Sequence, residues 1–194
     1  MKTLFSILSF VFLTSICMIS CKKDNNEQEK TVLGNRQLDW LKKELAASNA
    51  NFKFICIGMQ AINPMSTKEC FYKTNTEYKT LLEYIQQQQI NGIIFLSGDR
   101  HHAELLKVQE NGMYPLYDFT TSPLTMYPIK IGKKNKEFKN PYRIDHTYYP
   151  NYNFGKISVT GDFKDRKCLL ELKNKQGKVI WRYEIKKMDL IAKP

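Results

Sequence analysis

The chain has 194 residues, 42% apolar and 12% aromatic, which fits one folded domain of ordinary size and excludes a disordered or fibrous chain. Its formal net charge of +11 and pI near 9.3 give a basic surface able to meet nucleic acid, anionic lipid or phosphorylated substrates, without choosing among them. The lysines are dispersed, with short clusters at Lys133-Lys134 and Lys186-Lys187, and no pattern for groove reading or base stacking is present. Nucleic acid is therefore not the expected partner.

The first segment reads as targeting. Lys2 precedes an apolar run over 4–19, LFSILSFVFLTSICMI, shorter than the ~20 residues that span a bilayer comfortably. Ser20-Cys21 follow, and the composition then turns polar. The pattern predicts a bacterial lipoprotein signal peptide over 1–20 with lipidation of Cys21. It implies export, a membrane anchor through the lipid on the periplasmic or cell-surface side, and a polar tether over 21–32.

Leu38, Leu41 and Leu45 recur at helical spacing, so 33–48 is expected to be an amphipathic helix. The apolar run 52–59, FKFICIGM, reads as a buried strand, and 60–75, with Asn63-Pro64, as a loop. Tyr78, Leu81, Leu82 and Ile85 predict a second helix over 76–89, and 93–97, IIFLS, a second buried strand. Strand, helix, strand with continuous apolar strands argues for a parallel βαβ unit in an α/β fold. Residues 103–108 read as extended or a short helix, 114–125 as a strand ending at Pro123, and 126–153 as irregular, rich in lysine and tyrosine. The alternating runs 154–163, 167–174 and 178–187 predict an antiparallel meander with one wet face. Of five cysteines, Cys56, Cys70 and Cys168 lie in this part; a Cys56–Cys70 disulfide is left open by the spacing, and no CxxC pair exists.

Chemistry concentrates in 92–104, GIIFLSGDRHHAE, where the second strand runs into Asp99, Arg100, His101 and His102. Ligands in open α/β sheets bind beyond the carboxyl ends of the parallel strands. In an extended segment Asp99 and His101 would point the same way, and a carboxylate beside an imidazole can hold a divalent or trivalent metal. Gly98 would provide a sharp turn, while Arg100 or His102 could meet a phosphate oxygen or fix a neighbouring carboxylate. The same residues also read as a cap and two surface histidines, and the local spacing leaves both readings open.

The order LGNRQLDWLKKELAAS, FKFICIGMQ, IIFLSGDRHHAEL, YPLYDFTTSPLT and Asn153-Phe154-Gly155 resembles the C-terminal half of PhoD-like (alkaline phosphatase D) proteins of the calcineurin-like metallophosphoesterase superfamily, over about 31–185. The resemblance implies the C-terminal half of a four-layer α/β/β/α sandwich over 33–187, with a tail at 188–194. It implies hydrolysis of phosphate mono- or diesters, assisted by metal ions, iron and calcium foremost. By position it implies Asp99 and His101 as metal ligands, with His101 at the metal–phosphate site and catalytic; the chemistry of the strand end adds Arg100 as a catalytic residue steadying developing charge, and Arg100 and His102 as substrate-binding residues. Asp118, Ser122 and Glu69 match phrases near the family site, and His146 matches none. The family's upstream ligand motifs are not found in this sequence, so the chain is expected to be half of a catalytic unit, with a second polypeptide supplying the rest. The other reading is a non-catalytic surface lipoprotein, a remnant or a phosphate- or metal-binding module.

Overall fold

A computed structural model gives the structure of the protein and describes residues 10–11, 31–74 and 76–192. Its elements are β1 (Phe10–Val11), α1 (Gly34–Ala47), β2 (Lys53–Cys56), α2 (Thr76–Gln87), β3 (Ile93–Ser97), β4 (Glu104–Val108), β5 (Leu116–Thr120), β6 (Asn153–Thr160), β7 (Lys167–Asn174) and β8 (Val179–Lys186). Short 3-10 turns lie at Phe71–Lys73, Lys136–Lys139 and Lys187–Leu190.

Two sheets form. The first has the order β1-β2-β3-β5-β4, parallel except for β4, which runs antiparallel to β5; the second is the meander β6-β7-β8. The βαβ unit is present, with α2 connecting parallel β2 and β3 in the register Phe54↔Ile94 and Ile55↔Phe95. β2 is shorter than the expected 52–59: Ile57 still donates to the Leu96 carbonyl (2.9 Å), and the chain then leaves the sheet at Gly58. β1 pairs parallel with β2; the rest of the 1–20 leader, Cys21 and the tether to residue 30 lie outside the described residues.

Each face of the first sheet has its own cover. Side chains alternate along a strand, so Ile94, Leu96, Tyr117 and Phe119 share one face. That face meets the meander, with Phe119 5.3 Å from Trp181 and Tyr117 5.8 Å from Tyr183 between ring centroids. The opposite face, with Ile55, Ile93, Phe95 and Leu116, is left to the helices. Leu38, Leu41 and Leu45 of α1 and Leu81 and Ile85 of α2 are buried in the same core. Full burial of one such side chain stabilises by roughly 1.5–3 kcal/mol, so the helical stripes account for the packing of both helices.

Two local devices fix this layering. Glu77 in the first turn of α2 accepts from the main-chain N–H groups of Val32 (2.6 Å) and Gly34 (2.6 Å), so one carboxylate satisfies the otherwise unpaired start of α1. Gly155 of β6 lies so close to the first sheet that a Cβ there would sit 2.8 Å from Phe119 Cε1 and from Thr121 Cγ2. Only glycine lets the second sheet press in at this point.

Cys56, Cys70 and Cys168 are all free thiols, so the disulfide left open by the sequence is not formed.

Candidate functional site

The carboxyl ends of β2, β3 and β5 converge on Gly98. Thr121 N–H donates to the Ser97 carbonyl (2.9 Å), and a Cβ on Gly98 would lie 3.4 Å from the Gly58 carbonyl. Beyond it the backbone is not extended. Asp99 (φ 62°) and His101 (φ 57°) are both left-handed, and Arg100 N–H folds back onto the Gly98 carbonyl (2.8 Å). The pleat argument from the sequence therefore does not apply, and the sharp turns fall on Asp99 and His101 rather than on Gly98. Non-glycine residues in this conformation persist only where their surroundings hold them, and they gather at functional sites.

The surroundings here are explicit. His101 is held at three points. Its N–H donates to Ser122 Oγ (3.0 Å), its carbonyl accepts from Ile129 N–H (2.8 Å), and its Nδ1 lies 2.7 Å from the Tyr127 carbonyl. A carbonyl can only accept, so Nδ1 carries the proton, and in the neutral tautomer this contact selects, Nε2 is the nitrogen with the lone pair. Ser122 is held in turn: Asn153 Nδ2 donates to its carbonyl (2.6 Å), and Asn153 N–H to that of Pro123 (3.0 Å). The phrases S-P-L-T, N-F-G and G-D-R-H, far apart in sequence, thus make one support for one imidazole.

Asp99 is exposed and has no hydrogen-bond partner among the described residues. Arg100 is buried, and its guanidinium pairs with buried Glu137 and donates to Ser66 Oγ (3.3 Å). His102 is buried too, with Nε2 3.4 Å from Glu104 Oε1, near enough for charge attraction though not aligned as a hydrogen bond. The structure thus sets Asp99 and His101 toward the outside and gives Arg100 and His102 carboxylate partners inside.

Beneath the loop lies a polar layer that sequence reading did not anticipate. Glu104 receives Gln60 Nε2 (2.6 Å) and Arg143 Nε (2.7 Å). Burial acts to raise its pKa, but contact with His102 and the charge of Arg143 outweigh burial and bring the carboxyl down to about 2. Asp118 is wholly buried and accepts from Ser97 Oγ (2.6 Å) and from the N–H groups of Ala61 and Ile62 (2.8 Å each). Burial dominates there and lifts its pKa to about 7 against those hydrogen bonds, with Glu104 adding repulsion. Glu137 is held below the usual carboxylate range: burial pushes it up, and Thr67 and Arg100 pull it down more strongly. Asp118 is therefore an internal brace for the 60–62 loop. Glu69 and His146 are exposed, and neither joins this network.

A model of the family described as PhoD-like phosphatase matches residues 17–167. The chain belongs to the PhoD-like phosphatase family. The match begins before the expected residue 31 and ends at the start of β7. The PhoD-like chain is similar in fold to a solved structure of PhoD, with a TM-score of 0.58 at 13% identity, over 79% of this chain and 35% of that one. It therefore spans about a third of the length of that protein, and at this identity the likeness speaks to the fold. None of the curated proteins compared matches it.

The donor set can be weighed against the metal ions the family implies. An exposed carboxylate and an imidazole with its tautomer fixed by a main-chain carbonyl are suitable donors for a divalent or trivalent ion. Among the described residues no group of three or more His, Cys, Asp or Glu side chains is placed to hold a metal ion. Asp99 and His101 thus fit as a contribution to a metal centre, not as a whole one.

Proposed function

We propose that this PhoD-like chain forms the C-terminal half of a metal-assisted phosphoester hydrolase, and that Asp99 and His101 are its contribution to the metal centre. The observation that carries the reading is the hold on His101: an imidazole pinned at its N–H, its carbonyl and Nδ1, with Nε2 left available. Metal-binding histidines characteristically donate their second ring N–H to a carbonyl or carboxylate in this way. A bound metal, iron or calcium by family resemblance, would activate water and polarise a phosphoryl oxygen. The chain's own part is to hold the imidazole tautomer, to present the Asp99 carboxylate, and to keep both in register through the Arg100–Glu137 and Glu104–Arg143 pairs beneath. Arg100 and His102 act in this reading as positioning residues, since both are buried with partners.

In this proposal the remaining donors, and the layers that would complete a four-layer sandwich, would be supplied from outside the described residues, by a second polypeptide. Lipidation of Cys21 would, in this proposal, anchor the assembly as a lipoprotein on the periplasmic or cell-surface side of a bacterial membrane.

A second reading, a non-catalytic binding lipoprotein, is favoured by one observation, the pair of donors where a two-metal centre requires several. One experiment separates them. The full chain is assayed on a chromogenic phosphodiester with iron, calcium or manganese, and bound metal is measured in parallel. The hydrolase reading predicts turnover that Asp99→Asn abolishes, with metal retention falling alongside. Absence of both turnover and retained metal, even with lysate from the source cell added to provide a partner, would leave the binding-protein reading.

A further inference from the structure

We infer that residues 124–139 are a docking segment for an anionic lipid bilayer, seating the Asp99–His101 loop at a membrane surface. Large apolar side chains stand unusually open along it: Leu124 is 68% exposed, Met126 56%, Tyr127 62%, Ile129 44% and Phe138 39%. Interleaved and following are Lys130, Lys133, Lys134, Lys136 and Lys139, all exposed. The one carboxylate between 121 and 140, Glu137, is buried and paired with Arg100, so it offsets none of these charges at the surface.

The segment is anchored from behind. The Tyr127 carbonyl and Ile129 N–H hold His101, Ile131 N–H donates to Tyr148 Oη (2.7 Å), and Asn135 Nδ2 reaches Thr67 Oγ1 (3.3 Å). The Tyr127 ring also packs edge-on against the His101 ring at 5.0 Å between centroids while staying largely exposed, and Leu124, Met126, Ile129, Phe138 and the lysines are left for an outside partner.

The mixture selects that partner. Cores of protein–protein interfaces are depleted in lysine, whereas apolar anchors set among lysines with no exposed acid suit a negatively charged lipid surface, which rewards both. The inference does not depend on the hydrolase reading, since it requires no turnover.

Vesicle binding tests it on the full chain. Met126→Trp places a reporter on the segment at a side chain with no hydrogen bond, and quenching by brominated lipid is read after subtracting the parent chain with Trp40 and Trp181. To discount uptake through the apolar stretch 4–19, the diagnostic comparison is phosphatidylglycerol-containing vesicles against phosphatidylcholine alone. Quenching at 126 is expected on the anionic vesicles only. The triple change Lys130→Gln, Lys133→Gln and Lys134→Gln should weaken it about a hundredfold in lipid concentration, at on the order of fivefold per lysine. Vesicle-bound protein with an unquenched residue 126, or quenching equal on both vesicles, would overturn the inference. So would reporter emission already shifted to the blue without lipid, which would mean that protein, a second polypeptide or another copy, covers the segment.

Discussion

The two ends of the first sheet differ sharply on the face that meets the helices. Toward the amino end of the parallel strands that face carries Ile93, Leu116 and Val108, packed with apolar helix residues. Toward the carboxyl end it carries Ser97, Asp118, Thr120 and Glu104, all buried and joined through Gln60, Ser97 Oγ and the loop amides. An apolar core is cheap to build and tolerant of repacking, whereas a buried polar layer stabilises only when every partner is present and then admits few alternative geometries. The strained Asp99–His101 loop sits over the second kind of floor. Rigidity, rather than net stability, is what that floor contributes.

The largest effect that would sharpen the contrast lies at the polar end. Arg100→Leu leaves Glu137 buried without its cation and should cost about 4 kcal/mol in a denaturant melt, while Arg100→Leu with Glu137→Leu should recover a substantial part of it. Equal losses in single and double variants would mean the pair is not the coupled unit described. Comparable in scale is the pH dependence from Asp118. Its folded pKa of about 7 stands above the unfolded value, so its stabilising share is full below about pH 4 and is lost as pH rises through about 7, by up to ~4 kcal/mol. Asp118→Asn should flatten that slope in thermal melts taken across the window. An unchanged slope would assign it elsewhere. At the apolar end, Leu81→Ala should cost about 3 kcal/mol with no pH dependence, since it leaves a cavity and no charge. Smaller again is Gly155→Ala, at about 2 kcal/mol, because the fully buried Phe119 ring cannot yield without moving its neighbours. Its signature is a change in the near-ultraviolet signal of Trp181, which packs on that ring.

The same contrast explains what the sequence disclosed. Periodicity located α1, α2, β3 and the meander closely, because each buries one apolar stripe or face whose spacing is written in neighbouring residues. The strand end with Asp99 and His101 was legible as a place, since an apolar run stopping at charged residues is a local signal. Its geometry was not legible. The left-handed turn at His101 is held by Ser122, Tyr127 and Ile129, more than twenty residues away. Glu137 gave no sign of pairing with Arg100, because it sits in a lysine-rich stretch that reads as solvated. Glu77 likewise carries no local sign in the sequence that it binds the start of the other helix. Motif matching did reach part of this: N-F-G and S-P-L-T stood out as phrases, and the structure supplies the reason they occur together.

In the proposed function the strapped loop offers Asp99 and Nε2 of His101 to a metal. The most direct test is a manganese titration followed by NMR of the three histidine rings and the Asp99 amide. Paramagnetic broadening is expected first at His101 and Asp99, with loss of that broadening in Asp99→Asn and a His101 ring that carries its proton on Nδ1. Broadening that begins at exposed His146, or a His101 ring protonated on Nε2, would contradict that proposal.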